Sequence, residues 1–156
     1  MADADRSERW AELYDSAFPR VYRALVGTLL DRDAALDALH DAFEEGLRRP
    51  PAHDANLAGW LYRVALRKGR RALLRRRADV PLTEDVPADG KIAMTLDQLE
   101  AGRLLAMLSE RQRSVIVAHY FLGLTQLEVG ELLGLRRGTV GATISQSLAR
   151  MRRGAV

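Results

Sequence analysis

Apolar residues recur at three- and four-residue steps along nearly the whole chain. Trp10, Leu13, Tyr14, Ala17, Val21, Leu25, Val26 and Leu29 trace one such stripe. This period builds helices with one apolar face, and no stretch reads convincingly as a strand. The expected fold is therefore all-α, with helices burying their stripes against one another. Pro19 lies inside the first run and predicts a kink or division there. Asp31-Arg32-Asp33 breaks the pattern, and Asp33 is the expected cap of a second helix ending near Arg48. Leu36, Leu39, Phe43 and Leu47 form its stripe. Pro50-Pro51 stops it, residues 50–56 read as a loop, and Leu57 to Arg77 reads as a third long helix.

Composition removes several function classes. The chain has no cysteine, which excludes disulfide frameworks, thiolate zinc sites and thiol nucleophiles. No apolar run approaches the roughly 20 residues of a membrane span. The first residues lack the basic-then-apolar pattern of a signal peptide. A soluble protein of the cytoplasm is expected. No phosphate-binding loop, nucleophile constellation or metal set is present, so neither an enzyme nor a cofactor is expected.

Charge is distributed in blocks. The formal net charge is only +3. Yet Trp60 to Arg77 holds eight basic residues and no acid, and Ala78 to Glu100 holds six acids against Lys91. From Ala101 onward there are eight arginines and three glutamates. Two basic blocks around an acidic strip suit a polyanionic partner, although a single basic run is equally compatible with a solvated helix face. Pro81, Pro87 and Gly90 interrupt any period over residues 78–94, which reads as a linker. The chain then divides into residues 1–77 and 95–156.

The second block carries the sharpest local signals. Ser109-Glu-Arg-Gln112 is a capping box opening a helix expected to reach Leu122 and stop at Gly123. Thr125-Gln-Leu-Glu128 opens a short helix that ends at Gly134. Leu135-Arg136-Arg137-Gly138 then leads into a helix carrying Val140, Ile144, Leu148 and Met151. A short helix, a glycine turn and an amphipathic helix form the helix-turn-helix plan, whose second helix enters the major groove of DNA. A plain helical hairpin is the alternative.

Helix periodicity groups three candidate surfaces. Asp33, Asp37, His40, Asp41, Glu44 and Arg48 share one arc of the second helix, giving an acidic ridge. Asp37, His40 and Glu44 also have ligand-like spacing, but a helical metal site needs a second such helix. On the third helix Trp60 shares a face with Arg63, Arg67, Arg70 and Arg71. Guanidinium groups neutralise phosphates, and an indole stacks on an unpaired base. On the last helix Thr139, Thr143, Gln146 and Arg150 share a face, and Arg136 and Arg137 sit at its start. Gln and Thr bond base edges, while arginines at a helix start suit phosphates.

In these stretches the chain resembles the sigma-70 family of transcription initiation factors, in its extracytoplasmic-function group. Asp37-Ala-Leu-His-Asp-Ala-Phe43 and Trp60-Leu-Tyr-Arg-Val-Ala65 resemble the family's region 2. Leu108-Ser-Glu-Arg-Gln-Arg113, Gly123-Leu-Thr-Gln-Leu-Glu128, Leu132-Leu-Gly-Leu135 and Gly138-Thr-Val140 resemble region 4. The resemblance implies a two-domain helical protein that binds core RNA polymerase and directs it to promoter DNA. It implies that Asp37, His40, Asp41 and Glu44 dock on polymerase. It assigns Trp60, Arg63, Arg67, Lys68, Arg70 and Arg71 to the −10 element. Arg136, Arg137, Thr139, Thr143, Gln146 and Arg150 fall to the −35 element. It also implies an anti-sigma partner. Gly141 to Ala149 carries no positive charge, which implies fewer phosphate contacts. Two other readings stay open: a stand-alone helix-turn-helix regulator, and a degenerate sigma-like protein acting mainly through protein partners.

Overall fold

The computed structural model describes residues 2–52, 56–79 and 96–155. These form seven α-helices and one π-helical turn, with no strand among the described residues. They fall into two compact units, within Met1–Ala88 and within Asp89–Val156. Most of the proline-containing connection expected over residues 78–94 lies outside the described residues. Ala78 and Asp79 instead extend the third helix.

The first unit is a three-helix bundle of α1 (Ala2–Leu29), α2 (Arg32–Arg48) and α3 (Leu57–Asp79), each packed on the other two. α1 runs through Pro19 without a break. Pro19 is exposed, while Ala17 and Val21 on either side are buried. Packing on that inner face holds the helix despite the missing amide. α2 is capped by Asp31, whose carboxylate accepts from the Ala34 amide at 2.9 Å, rather than by Asp33. Asp31 has the extended backbone that an N-cap requires, whereas Asp33 already lies in the first helical turn.

The inner face of α2 differs from the expected leucine stripe. Leu39 and Phe43 are buried, but Leu36 and Leu47 are exposed. The buried surface is instead made by Ala34, Ala35, Ala38, Ala42 and Gly46. Small residues let the bulk come from α1. Trp10 lies over Gly46, where an added Cβ would fall 2.2 Å from the indole. Gly69 of α3 accepts Leu29 in the same way, at 2.5 Å.

One polar contact is sealed inside this bundle. The Tyr62 hydroxyl donates to Thr28 Oγ1 at 2.7 Å, and Thr28 in turn donates to the Ala24 carbonyl at 2.9 Å. Both side chains are fully buried. Tyr62→Phe removes the first donor and is expected to lower stability by about 1 kcal/mol, read as a fall in the urea midpoint at constant slope.

The second unit comprises α4 (Leu96–Ala106), α5 (Glu110–Ile116), α6 (Gln126–Leu133) and α7 (Arg137–Gly154). α5 continues into a π-helical turn over Val117–Phe121, not into further α-helix. The Leu122 amide bonds the Val117 carbonyl at 3.0 Å, and Leu124 reaches back to Ala118 at 3.1 Å. Gly123 supplies the positive φ of 72° that reverses the chain. Both capping boxes form, Ser109 with Gln112 and Thr125 with Glu128. Val115, Ala118, Val129 and Val140 are among the residues buried in the core of this unit.

Candidate nucleic-acid and polymerase interfaces

The turn between α6 and α7 is built from backbone geometry. Gly134 takes the left-handed conformation (φ 69°) and its amide caps the Gly130 carbonyl. The Leu135 amide bonds that same carbonyl at 2.8 Å. A Cβ on Gly130 would fall 2.7 Å from the Leu135 carbonyl oxygen, so only glycine lets the two segments come this close. The turn fixes where α7 starts.

The N-cap of α7 is Arg136, whose side chain makes no capping hydrogen bond. Arg136, Arg137, Gln146 and Arg150 are exposed, and Thr139 is half-buried. Thr143 turns inward. It is 8% exposed, and its hydroxyl donates to the Thr139 carbonyl at 2.7 Å. Ser147 repeats the pattern on the Thr143 carbonyl at 2.6 Å and is fully buried. Satisfying the hydroxyl on the preceding turn is what lets these residues pack. Thr139, Thr143 and Gln146 line an open groove of about 510 Å³, closed on its other side by the start of α5. Arg111, exposed on the first turn of α5, flanks this groove. It was not apparent from sequence, because nothing local to residues 109–113 points toward α7. The bare α7 N-terminus is a local weakness. Arg136 already has extended backbone, at φ −70° and ψ 147°. Arg136→Ser is expected to supply the missing cap and raise stability by about 1 kcal/mol, measured by thermal unfolding.

On α2 the acidic ridge is outside. Asp33, Asp37, His40, Asp41, Glu44 and Arg48 are all exposed. Exposed Leu36 and Leu47 border the ridge and give it an apolar edge. The His40 ring lies parallel to Tyr14 at 6.4 Å and against Phe18 at 5.5 Å. The ridge is thus a composite of α2 acids and α1 aromatics. Among the described residues, no three His, Asp or Glu side chains converge as a metal site.

The α3 face is only partly as sequence placed it. Arg63, Arg67 and Arg71 are exposed. Trp60 is half-buried, its ring edge-on to Trp10 with centroids 5.9 Å apart. Arg70 is half-buried, and burial pushes its guanidinium below the usual range while the neighbouring Tyr62 opposes the change. The Lys68 ammonium lies 3.0 Å from the Glu45 carboxylate. That hydrogen bond holds Glu45 below the usual carboxylate value, aided by the charges of Lys68, Arg67 and Arg48 and opposed by burial. The stabilisation from Glu45 is complete above its ordinary value. It fades as pH falls through the lower folded value. Lys68 is therefore tied to α2, not displayed beside the arginines. Further along α3, Arg76 pairs with Asp31 at 3.1 Å, so the carboxylate that caps α2 also holds the end of α3.

Known proteins share this architecture. The family model for sigma-70 region 4 matches residues 98–151, which span the helix-turn-helix. The RNA polymerase sigma factor SigF of Mycobacterium tuberculosis, in strains CDC 1551 and H37Rv, is 36% identical over 67 residues. Residues 98–151 thus resemble sigma-70 region 4. The SigF match covers 40% of this chain, which spans about a quarter of SigF's own length (26%). Two solved structures share the fold. One is CnrH in complex with the cytosolic domain of CnrY, with a TM-score of 0.71 and 21% identity, over 97% of this chain and 90% of that one. The other is the sigma factor RpoE of Bartonella quintana in complex with the anti-sigma factor NepR. Its TM-score is 0.73 and its identity 18%, over 94% and 96% of the two chains. Residues 98–151 thus carry the region 4 match, while the three-helix bundle is matched by fold alone. No helix among the described residues is long and apolar enough to cross a membrane.

Proposed function

We propose that this chain is an RNA polymerase sigma factor that binds core polymerase and directs promoter-specific initiation in the cytoplasm. The observation that carries this reading is the region 4 match lying on a helix-turn-helix whose second helix presents Arg136, Arg137, Gln146 and Arg150 to solvent. The bundle supports it with two chemically opposite surfaces. The α2 ridge of Asp37, His40, Asp41 and Glu44 suits a basic polymerase surface, where complementary charge sets encounter rate and register. Trp60 with Arg63, Arg67 and Arg71 suits the separated strand of the −10 element. Thr139, Gln146 and the arginines of α7, with Arg111, suit the −35 duplex. Lys68, Arg70 and Thr143 then act mainly by holding these surfaces in place. The role is non-catalytic, and the residues at 1–77 and 95–156 divide the work between −10 and −35.

CnrH and RpoE were each captured with a protein partner, in RpoE's case an anti-sigma factor. We extend an anti-sigma partner to this chain on that likeness. One observation favours a sigma-like protein acting mainly through protein partners: α7 carries no charge from Gly141 to Ala149. Run-off transcription with core polymerase on a genomic fragment library separates the readings. Discrete transcripts that depend on the added chain are expected. Their absence, with binding to polymerase intact, would favour the protein-partner reading.

A further inference from the structure

The chain reverses between α5 and α6 through the π-helical turn, a form found mostly as single turns and often at functional sites. Leu124 closes this reversal. It is buried, and its amide donates to the Ala118 carbonyl at 3.1 Å. The next residue, Thr125, is the N-cap of α6. The Leu124 carbonyl therefore lies before the helix and outside its hydrogen-bond ladder, and it needs a partner from elsewhere. His119 supplies one, with Nδ1 2.7 Å from that oxygen. A carbonyl oxygen only accepts, so Nδ1 carries the proton and Nε2 is the bare nitrogen of the neutral ring. The Tyr120 ring stands edge-on to the imidazole at 4.8 Å. Both backbone polar groups of Leu124 are thus held by consecutive residues of the turn, Ala118 and His119.

We propose that His119 is a positioning residue for duplex DNA: its imidazole clamps the entry to α6 and so sets where the helix-turn-helix stands against α5. The proposal rests on the reading of α6 and α7 as a duplex-binding module. α6 packs on the π-helical turn and on α7. The groove lined by Thr139, Thr143 and Gln146 has the first turn of α5 as its other wall. Its two walls belong to segments joined through the clamped turn, and slack at Leu124 changes the spacing between them. Arg111 on one wall and Gln146 on the other engage one duplex only at a fixed spacing.

Two measurements on the full chain test this. The chain has three histidines, so nitrogen NMR of the imidazole rings in mildly alkaline buffer, with His119→Ala to assign the signals, resolves which nitrogen holds the proton. Protonated Nδ1 is expected at His119, and a bare Nδ1 would overturn the clamp. The second measurement is the affinity of the chain, assembled with core polymerase, for a promoter fragment recovered by run-off. His119→Ala is expected to bind about fivefold more weakly, the fold-change of one lost hydrogen bond. Asparagine places its amide nitrogen as many bonds from Cα as Nδ1, and glutamine as many as Nε2. His119→Asn is therefore expected to restore binding, whereas His119→Gln is expected to fail. Scrambling the −35 element is expected to erase the difference between His119→Ala and the parent chain, which a general loss of stability would not do. Three results overturn the positioning role and leave the proposed function standing: equal binding by His119→Ala, rescue by glutamine as good as by asparagine, or a defect that persists without the −35 element. A parent complex that binds no fragment overturns the proposed function, and with it the role of His119 on DNA, even where the ring proton sits on Nδ1.

Discussion

Charge reversal at Asp37 and Asp41 together is expected to abolish co-elution with core RNA polymerase and leave the helical content unchanged. Both side chains are exposed on the outer face of α2. Neither belongs to the Glu45–Lys68 or Asp31–Arg76 pairs that hold α2 to α3. Arginine is also a strong helix former, so Asp37→Arg with Asp41→Arg leaves the bundle intact. At a docked surface each reversal replaces an attraction by a repulsion between desolvated charges. Each is expected to exceed about 1.4 kcal/mol, so the pair weakens binding by roughly 100-fold or more. Gel filtration with core polymerase reads the result, and far-UV circular dichroism checks the fold. Retained co-elution by a folded double variant would show that the ridge is only a solvated face.

The largest stability effect is expected at Trp10. Its side chain is 6% exposed and packs on Gly46, Phe43 and Trp60. Trp10→Ala leaves a cavity where three helices meet, and such deletions cost about 3–5 kcal/mol. Domains of this size have total stabilities of about 5–15 kcal/mol. The melting temperature of the bundle is expected to fall by well over about 10 °C. Leu74→Ala, at a side chain 64% exposed on α3, serves as the comparison and is expected to change little. A small shift for Trp10→Ala, matching that of Leu74→Ala, would mean that the indole does not anchor the bundle.

Local chemistry was legible in the sequence, and long-range packing was not. The capping boxes at Ser109 and Thr125 and the turns at Gly123 and Gly134 depend on residues within a few positions. Each forms as its spacing predicts. The acidic ridge also follows from 100° geometry alone. The apolar stripe of α2 did not, because Leu36 and Leu47 are exposed while Ala34, Ala35, Ala38 and Ala42 are buried between the helices. A leucine outranks an alanine by hydrophobicity, but only the partner helix decides which one fits. Asp31 and Asp33 present the same side chain two residues apart, and backbone conformation chose between them. Thr143 looked polar and outward, yet its hydroxyl finds a carbonyl one turn back and no longer needs water. Arg111 flanks a groove shared with α7, and periodicity within one helix does not reveal a partner on another.

The nesting of Trp10 over Gly46 also bears on how related sequences diverge. Any side chain at position 46 takes the volume that the indole occupies. The two positions therefore form a single unit of inheritance: a lineage that acquires an alanine or larger group on α2 must first, or simultaneously, trade the indole for something slimmer. Homologues keeping both a broad ring on α1 and a substituent at 46 are expected to be missing among descendants that retain this bundle.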